Sequence, residues 1–434
     1  MILRLVASFL ILLSAPIYAS VPSMPGVDSP ELAGLGNYGV GFRSVEFSHR
    51  DQPDVENADP DGRTVPIVDR KLRVDIWYPA IVQNGAKSVV YRGRLWAEPP
   101  RPPISFTQKG LAVGGAKASG AKHPLVIVSH GYSNNPAVMT WLTENLASKG
   151  YVVAAIDHRD PNPYVVSPST RAAPNFNRPR DIVFVAAQLR ISLGNLIDPE
   201  NVALIGYSQG GYGVLTAGGA TLDPMGPNMD LVAGGWLRKF ARGSADAKAF
   251  TLAGVKAVVA LAPGGGAPSS AWRAEGLAAL TAPLLLIQGD SDPVVDYKTG
   301  ALAVFVGVVN SDRYLLTYKQ AGHSIALNPA PRAMRGSLWD MDWFEDPIWR
   351  QDRVSAINLH FITAFLAVHL RKDDSKGSYL NVPVENSDDG EWNAPVGTPW
   401  GAYSPGGERV TLWKGFQRRH AQGMTLRHLP RAAK

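Results

Sequence analysis

The chain has 434 residues, of which 45% are hydrophobic, and its 43 basic and 37 acidic residues give a net charge of +6. Seven basic residues and one acidic residue lie in 405–434, so the positive excess belongs to the C-terminal end, and no stretch interleaves basic and aromatic residues as a nucleic-acid site would. The absence of cysteine excludes disulfides and a lipid-modified cysteine anchor, so stability must come from a hydrophobic core, which a chain of this length can bury.

The first 19 residues have the pattern of a secretory signal peptide. Arg4 precedes the apolar run Leu5–Leu13, and the small residues that follow predict cleavage after Ala19. The run is too short for a permanent membrane anchor, although an uncleaved anchor is the alternative. No second stretch is expected to cross a membrane, so the sequence predicts a periplasmic or extracellular protein.

Apolar runs alternate with amphipathic stretches through much of the chain. This alternation requires right-handed crossovers and predicts an α/β fold, with a mostly parallel central sheet flanked by helices. The predicted elements are two antiparallel opening strands (Gly39–Phe47 and Arg70–Tyr78), a Pro- and Gly-rich segment wrapping the surface (Ser88–Gly120), a strand (Pro124–Ser129), a helix (Pro136–Lys149), a strand (Tyr151–Ile156), a long loop (His158–Pro179), a helix (Arg180–Leu193) and, near the end of the fold, a last helix (Val354–Leu370).

A serine stands at the turn between a predicted strand and a predicted helix. The strand Val202–Ile205 runs into Gly206-Tyr207-Ser208-Gln209-Gly210, and a helix-compatible stretch follows. Such a turn exposes the hydroxyl at the top of the sheet, beside the helix N-terminus, and the glycines let the two backbones approach closely. The motif alone is weak, and a solvated serine in a Gly-rich loop is the alternative. Together with the partners that follow, it predicts that Ser208 is the nucleophile of an acyl transfer.

An acidic partner is predicted in the turn after a later buried strand. The apolar run Pro283–Gln288 leads into Gly289-Asp290-Ser291-Asp292-Pro293, at the sheet edge where α/β proteins carry their chemistry. Asp292 is the predicted acid. Asp290 and Asp296 are rivals, and any of the three could instead cap the next helix.

A histidine follows the last strand of the parallel series. The strand Arg313–Tyr318 precedes Ala321-Gly322-His323-Ser324, and a histidine in this loop can reach over the sheet edge toward Ser208. His323 would act as general base for the serine and then as general acid for the leaving alkoxide, while the aspartate holds its tautomer.

The loop after Pro124–Ser129 is predicted to complete the site. In this architecture the backbone N–H groups of Tyr132 and Gln209 would form an oxyanion hole. The Tyr132 ring is expected to form a wall of the acyl pocket, and His130 to support the loop and not to titrate in catalysis.

Three excursions could shape a substrate pocket, namely 158–179, 221–254 and 329–350. The third is rich in aromatic residues and follows the predicted catalytic base, so Trp339, Trp343 and Phe344 are candidates for the pocket lining. The alternative is that these rings attach a long loop to the core. The tail rings Trp392, Trp400, Trp413 and Phe416 are expected to pack.

The chain resembles the α/β-hydrolase superfamily, and within it the branch of dienelactone hydrolases and platelet-activating factor acetylhydrolases. The segments that carry the resemblance are Val74–Ala80, Ser129–Tyr132, Gly206–Gly210, Gly289–Asp292 and Ala321–Ser324, in order across residues 35–370. The resemblance implies serine hydrolysis and leaves the substrate open.

The chain departs from this branch at two points. Dienelactone hydrolases use a cysteine nucleophile, which this chain lacks, so that activity is not carried over. Some acetylhydrolases of the branch take their acid after the strand that follows the nucleophile, but here Val255–Leu261 leads into Ala262–Gly266, which contains no acid. The resemblance therefore implies Asp292, as in bacterial cutinases.

These observations predict a secreted serine esterase that needs neither metal nor cofactor and acts on a small-molecule or polymeric ester. A thioesterase, peptidase or C–C hydrolase on the same fold, or a non-catalytic binding protein, are the alternatives. The predicted organisation is a signal peptide (1–19), a catalytic domain (20–374) and a basic C-terminal extension (375–434) that packs on the domain or trails from it. The basic residues of this extension are solvated or touch an anionic surface.

Overall fold

Twelve strands form one mixed sheet in the computed structural model, which describes residues 26–433 except 27, 60, 62, 268 and 408. The predicted signal peptide lies outside the described residues. The strands are β1 (Gly39–Pro53), β2 (Ile67–Ile81), β3 (Ser88–Leu95), β4 (Ile104–Gly114), β5 (Lys117–Ala118), β6 (His123–Ser129), β7 (Val152–Asp157), β8 (Ile197–Tyr207), β9 (Val255–Leu261), β10 (Leu284–Gly289), β11 (Arg313–Tyr318) and β12 (Met424–Leu429). The α-helices are α1 (Thr140–Ser148), α2 (Pro168–Ser192), α3 (Gln209–Ala217), α4 (Ala274–Ala278), α5 (Ala301–Gly307), α6 (Leu338–Asp342) and α7 (Gln351–Arg371).

The centre of the sheet is parallel, as predicted. The strand order is β12-β11-β10-β9-β8-β6-β7-β2-β1-β4-β3, with β5 beside β2, and the neighbours from β7 through β11 all pair in parallel. The pairs β1–β2, β2–β7, β3–β4 and β11–β12 are antiparallel. The predicted α/β class is therefore confirmed, and the carboxyl ends of the parallel strands meet at one edge.

Helices cover both faces of this sheet. Because side chains alternate along a strand, Ile205 of β8 packs into one core with α1 and α7, whereas Leu204 packs into a second core with α2 and α3. Both residues are fully buried. Burial on both faces explains why the central strands are continuous apolar runs.

The prediction that Ser88–Gly120 merely wraps the surface was wrong. Most of this segment forms the hairpin β3–β4, which extends the sheet beyond β1. Gly93 is used there for close packing, because a Cβ at this position would lie 2.1 Å from the Phe106 ring. A glycine that indicates a loop in the sequence is here the partner of an aromatic ring across a strand pair.

The boundaries of α2 also differ from the prediction, which had a loop through Pro179 and a helix only from Arg180. The helix begins at Pro168, where Ser167 caps it by accepting from the Thr170 N–H at 3.2 Å, and its interior contains two further prolines, Pro174 and Pro179. Pro179 has no N–H to bond the carbonyl of Asn175, and the Tyr212 hydroxyl of α3 donates to that carbonyl instead, at 3.0 Å. A tertiary contact thus replaces the bond that proline removes.

The C-terminal part of the chain contributes to the same sheet. β12 pairs with β11 along its whole length, and Trp413 and Phe416 are buried in the core, as their predicted packing role requires. The basic side chain of Arg427 pairs with Glu385 at 3.5 Å. The last strand therefore covers what would otherwise be an open edge of the sheet.

Helix α7 is more apolar than expected, since no segment beyond the signal peptide was predicted to be apolar enough to cross a membrane. Among the described residues, α7 alone is long and apolar enough to do so by length and composition, but most of it is buried inside the protein. That burial against the sheet is typical of a core helix.

Candidate active site

Ser208 occupies a strained turn between β8 and α3. Its backbone has φ 54° and ψ −118°, a region that side-chain-bearing residues rarely adopt. The turn is possible because glycines flank it: a Cβ on Gly206 would lie 2.2 Å from the Gly210 carbonyl oxygen, and one on Gly210 would lie 2.0 Å from that of Ser129. The local sequence therefore forces the Ser208 side chain out at the carboxyl edge of the sheet.

Three distant segments meet at this serine. The His323 Nε2 atom lies 3.0 Å from Ser208 Oγ, and His323 Nδ1 lies 2.7 Å from Asp292 Oδ2. The side chain of His323 is 15% exposed, whereas that of Asp292 is fully buried. The arrangement can pass a proton from the hydroxyl to an imidazole whose other nitrogen is held by a carboxylate.

The structure brings Asp292, and neither of its rivals, to the histidine. Asp292 Oδ1 accepts from the backbone N–H groups of Val294 and Val295 at 2.8 and 2.9 Å, which leaves Oδ2 for the imidazole. Asp290 instead accepts from the Gln320 N–H at 2.6 Å. Asp296 accepts from the Thr299 N–H at 2.8 Å in the turn before α5, whose N-cap is Gly300.

A fourth acid, which the sequence did not single out, supports the histidine loop. Asp346 accepts from the Gly322 N–H at 2.6 Å and from the Trp349 N–H at 2.7 Å, so it ties the residue before His323 to the segment that follows α6. On the other side, the Tyr207 hydroxyl donates to the His323 carbonyl at 3.1 Å. Only the position of Asp346 in the aromatic-rich segment could have suggested it.

The two candidate oxyanion donors follow two neighbouring strands of the sheet, β6 and β8. Tyr132 follows β6 and Gln209 begins α3, and in the described part of the chain neither backbone N–H has a hydrogen-bond acceptor. His130 is buried, and its Nε2 accepts from the His158 N–H at 3.3 Å, which connects the loop to the residue after β7. Burial raises the pKa of the Tyr132 phenol to about 12, so that ring is uncharged near neutral pH.

A second Ser–His–Asp arrangement lies beneath this loop. Ser129 Oγ is 2.9 Å from His158 Nε2, and His158 Nδ1 is 2.9 Å from Asp181 Oδ2. Asp181 also accepts from Nε and Nη2 of the Arg70 guanidinium, at 2.8 and 3.0 Å. Burial, and then the charge of Arg178, lower the pKa of His158. This set was not predicted from the sequence, because its three residues come from a strand end, a predicted loop and a predicted helix that share no motif.

An aromatic cleft adjoins the loop that follows β6 and carries Tyr132. Trp343, 42% exposed, lines it together with Trp96 and Tyr164. Phe344 is a correction to the predicted lining, because it is buried in the core and is not among the residues of this cleft. The side chain of Trp339 lies outside the described part of the structure. The complete lining is Leu95, Trp96, Ser133, Pro163, Tyr164, Met334, Asp340 and Trp343.

The cleft lies between the loop that follows β6 and the loop that follows β11. Ser133 is the neighbour of Tyr132, and on the opposite side the Ser324 hydroxyl, next to His323, donates to the Asp342 carbonyl at 2.7 Å. Asp342 in turn precedes Trp343.

Among the described residues, no group of three His, Cys, Asp or Glu side chains is arranged to hold a metal ion.

Comparison with known proteins gives similarities in sequence and in fold. Residues 113–223, which include Tyr132 and Ser208, match a family described as PET hydrolase-like. Two proteins of Thermobifida alba, cutinase est1 and cutinase est2, are 36% and 34% identical over 90 residues, 21% of this chain. The matched part spans 28% of the length of each of these curated relatives.

The fold has a solved counterpart along most of the chain. A ferulic acid esterase from Streptomyces cinnamoneus superposes with a TM-score of 0.51, over 79% of this chain and 94% of that one, at 17% identity. Strand order, the turn at Ser208 and these similarities together show that the chain has an α/β-hydrolase fold.

Proposed function

We propose that the protein is a serine esterase that hydrolyses carboxylic esters through an acyl-enzyme on Ser208. The observation that carries the proposal is the contact of Ser208 Oγ with His323 Nε2 at a strained turn, next to the Gln209 N–H, which has no acceptor in the described part of the chain. The similarity to PET hydrolase-like proteins and cutinases supports ester bonds as the target.

Each residue has one role in this reaction. His323 takes the proton as Ser208 Oγ attacks the ester carbonyl, and Asp292 stabilises the imidazolium that forms. The N–H groups of Tyr132 and Gln209 hold the oxyanion of the tetrahedral intermediate. His323 then protonates the leaving alkoxide, and a water activated by the same imidazole releases the acid.

The cleft beside Ser133 favours esters with an aromatic group. Trp96, Tyr164 and Trp343 present ring faces and edges against which another ring can pack. We expect Trp343→Ala to raise KM for aryl esters several-fold and to leave KM for acetate esters nearly unchanged. Equal effects on both substrate classes would remove the cleft from the substrate site.

The decisive experiment replaces the nucleophile. Ser208→Ala should reduce p-nitrophenyl acetate turnover by at least about 10³-fold, because it removes the atom that attacks. Ser192→Ala, an exposed serine at the end of α2, is the matched control and should keep parental activity. Near-parental turnover by Ser208→Ala would reject the proposal.

A substrate panel separates the ester hypothesis from its alternatives. Oxygen esters, thioesters and amides with the same acyl group should differ in kcat/KM, with the oxygen ester preferred. Preference for the amide or thioester would keep the fold and change the function.

We also propose that the protein is exported. The support is the pattern of residues 1–19, in which a basic residue, an apolar core and small residues follow one another up to Ala19. The described fold begins at residue 26, so removal of the first 19 residues would leave every described element intact.

Cleavage after Ala19 would make Ser20 the first residue of the mature chain. Mass spectrometry of the N-terminus of the exported protein should therefore find Ser20. Protein recovered only from the cytoplasm, with Met1 still attached, would contradict export.

A further inference from the structure

A buried arginine donates hydrogen bonds to the loop after β6, which carries the proposed oxyanion donor Tyr132. Arg178 of α2 is fully buried, and its Nη2 donates to the Gly131 carbonyl at 3.0 Å, while Nη1 donates to the His130 carbonyl and to Ser129 Oγ, the latter at 3.2 Å. A planar guanidinium thus binds two successive carbonyls of the loop from below.

The second of these carbonyls belongs to the peptide unit that also carries the Tyr132 N–H. In a trans peptide the C=O and the N–H point in opposite directions within one plane. Fixing the Gly131 carbonyl toward Arg178 therefore fixes the direction of the Tyr132 N–H on the other side, away from α2. A cation on the carbonyl also polarises the same amide, which strengthens its N–H as a donor.

The far end of the loop is held by the partner of this arginine. Asp160 pairs with Arg178 Nη2, and its Oδ2 accepts from the Ser133 N–H at 2.8 Å. Ser133 has φ 55°, so this acid stabilises a backbone conformation that a non-glycine residue seldom adopts. One ion pair therefore holds the loop on both sides of Tyr132.

The charges of the pair are balanced inside the protein. Both side chains are almost completely buried, at 0% and 2% exposure. Burial alone would raise the pKa of Asp160, but Arg178 and the neighbouring histidines outweigh it and lower that pKa. A charged arginine at this depth needs such a partner, and breaking the pair would leave a buried charge unpaired.

We propose that Arg178 is a positioning residue for catalysis, which orients and polarises the Gly131–Tyr132 peptide so that the Tyr132 N–H meets the oxyanion. The inference rests on the proposed esterase function. It predicts a loss of transition-state stabilisation with little change in substrate binding.

The test variant is Arg178→Lys, which keeps the charge but cannot bind two carbonyls and a carboxylate in one plane. We expect kcat for p-nitrophenyl acetate to fall by at least about tenfold. The loss should not exceed the 10²–10³-fold that follows removal of a whole oxyanion donor, and KM should change less than about threefold. The matched control is Arg313→Lys. Arg313 is also buried and donates to the carbonyls of Phe305, Ser311 and Pro430, but at the opposite end of the parallel strands. It should keep parental kcat.

A second readout separates oxyanion positioning from general loosening. An ester and the corresponding thionoester place oxygen or sulfur in the same site, and only oxygen is well held by N–H donors. Arg178→Lys should therefore lower the rate on the ester more than on the thionoester. An unchanged ratio of the two rates, or an equal loss of kcat in Arg313→Lys, would overturn the inference.

If Arg178→Lys does not fold, Asp160→Asn provides the test. It retains an oxygen for the Ser133 N–H and removes only the charge opposite Arg178. We expect a several-fold loss of kcat with the same shift in the rate ratio, and a folded variant with parental kcat would reject the role of the pair. Failure of the proposed function is recognised separately, because Ser208→Ala would then be as active as the parent.

Discussion

The molecule contains two Ser–His–Asp sets with nearly the same hydrogen-bond distances. In the open set, formed by Ser208, His323 and Asp292, the serine–histidine and histidine–aspartate distances are 3.0 and 2.7 Å. In the buried set, formed by Ser129, His158 and Asp181, both distances are 2.9 Å. Distances alone would not tell which set performs chemistry.

Access and backbone conformation separate them. His323 is partly exposed at the sheet edge, whereas His158 is completely buried. Ser208 is pushed outward by a strained turn, but Ser129 ends the regular strand β6 and its hydroxyl also accepts from Arg178. A hydrogen-bonded relay therefore supports a nucleophile only where a substrate can reach the hydroxyl and donors face the developing charge.

Active-site labelling is the strongest test of the difference between the two sets. A fluorophosphonate should label the peptide that contains Ser208 and leave the peptide that contains Ser129 unmodified, because the buried hydroxyl is out of reach. Ser208→Ala should then abolish labelling, although the buried set is intact. Peptide mapping by mass spectrometry measures both, and label on Ser129 in the folded protein would end the distinction.

Removing the carboxylate should affect the two sets differently. Asp292→Asn should lower kcat by about 10³–10⁴-fold with little change in the free energy of unfolding, because the amide disturbs the tautomer and no longer stabilises the imidazolium. Asp181→Asn should instead lower the free energy of unfolding by about 3–5 kcal/mol, because it removes the buried carboxylate that pairs with Arg70 and accepts from His158.

Activity assays and urea unfolding of both variants check this prediction. The effects should stay separated: a large loss of stability in Asp292→Asn, or none in Asp181→Asn, would show that the two sets share one role.

The open set could be predicted because its signals are local and ordered. Ser208, Asp292 and His323 each follow a strongly apolar strand, and the order of strands along the chain places them at one sheet edge. The same reasoning gave the parallel centre of the sheet. Choosing Asp292 over Asp290 needed only the resemblance and the turn.

The buried set could not be predicted because its signal is tertiary. Pro174 and Pro179 favour a loop on local grounds, and only the hydroxyl of Tyr212, from another helix, makes the helix possible at Pro179. Because the first part of α2 was predicted as a loop, Arg178 had no predicted place near β6, and Asp181 lay at the start of a predicted helix that was not placed beside Ser129. The β3–β4 hairpin was missed for a similar reason, since the prolines and glycines of Ser88–Gly120 favour a loop on local grounds, and only the structure shows Phe106 packed against Gly93.

Acidification should reveal the buried imidazole. Because the pKa of His158 is lowered from 6.5, the unfolded chain binds a proton below pH 6.5 that the folded protein does not, so stability falls as the pH falls. His158→Gln should reduce the slope of unfolding free energy between pH 6.5 and 5.5 by up to about 1.4 kcal/mol per pH unit. Urea unfolding at several pH values measures the slope, and an unchanged slope would mean that folding does not alter proton binding at this residue.

The smallest expected effect concerns the link between the two sets. Tyr212→Phe removes the hydroxyl that bonds the Asn175 carbonyl, and so loosens α2, which carries the buried acid, from α3, which begins after Ser208. We expect the free energy of unfolding to fall by about 1 kcal/mol and kcat to fall a few-fold.

Tyr78→Phe is the matched control for this link. Its hydroxyl also donates to a carbonyl, that of Ala116, at 2.8 Å, but this carbonyl lies between β4 and β5 and not in α2. It should lose comparable stability and keep parental kcat. If both variants lower kcat equally, stability alone accounts for the effect. If only Tyr212→Phe lowers kcat, the buried set acts on the open one through the α2–α3 contact. The buried set would then hold α3, and with it Ser208, in the position that the reaction requires.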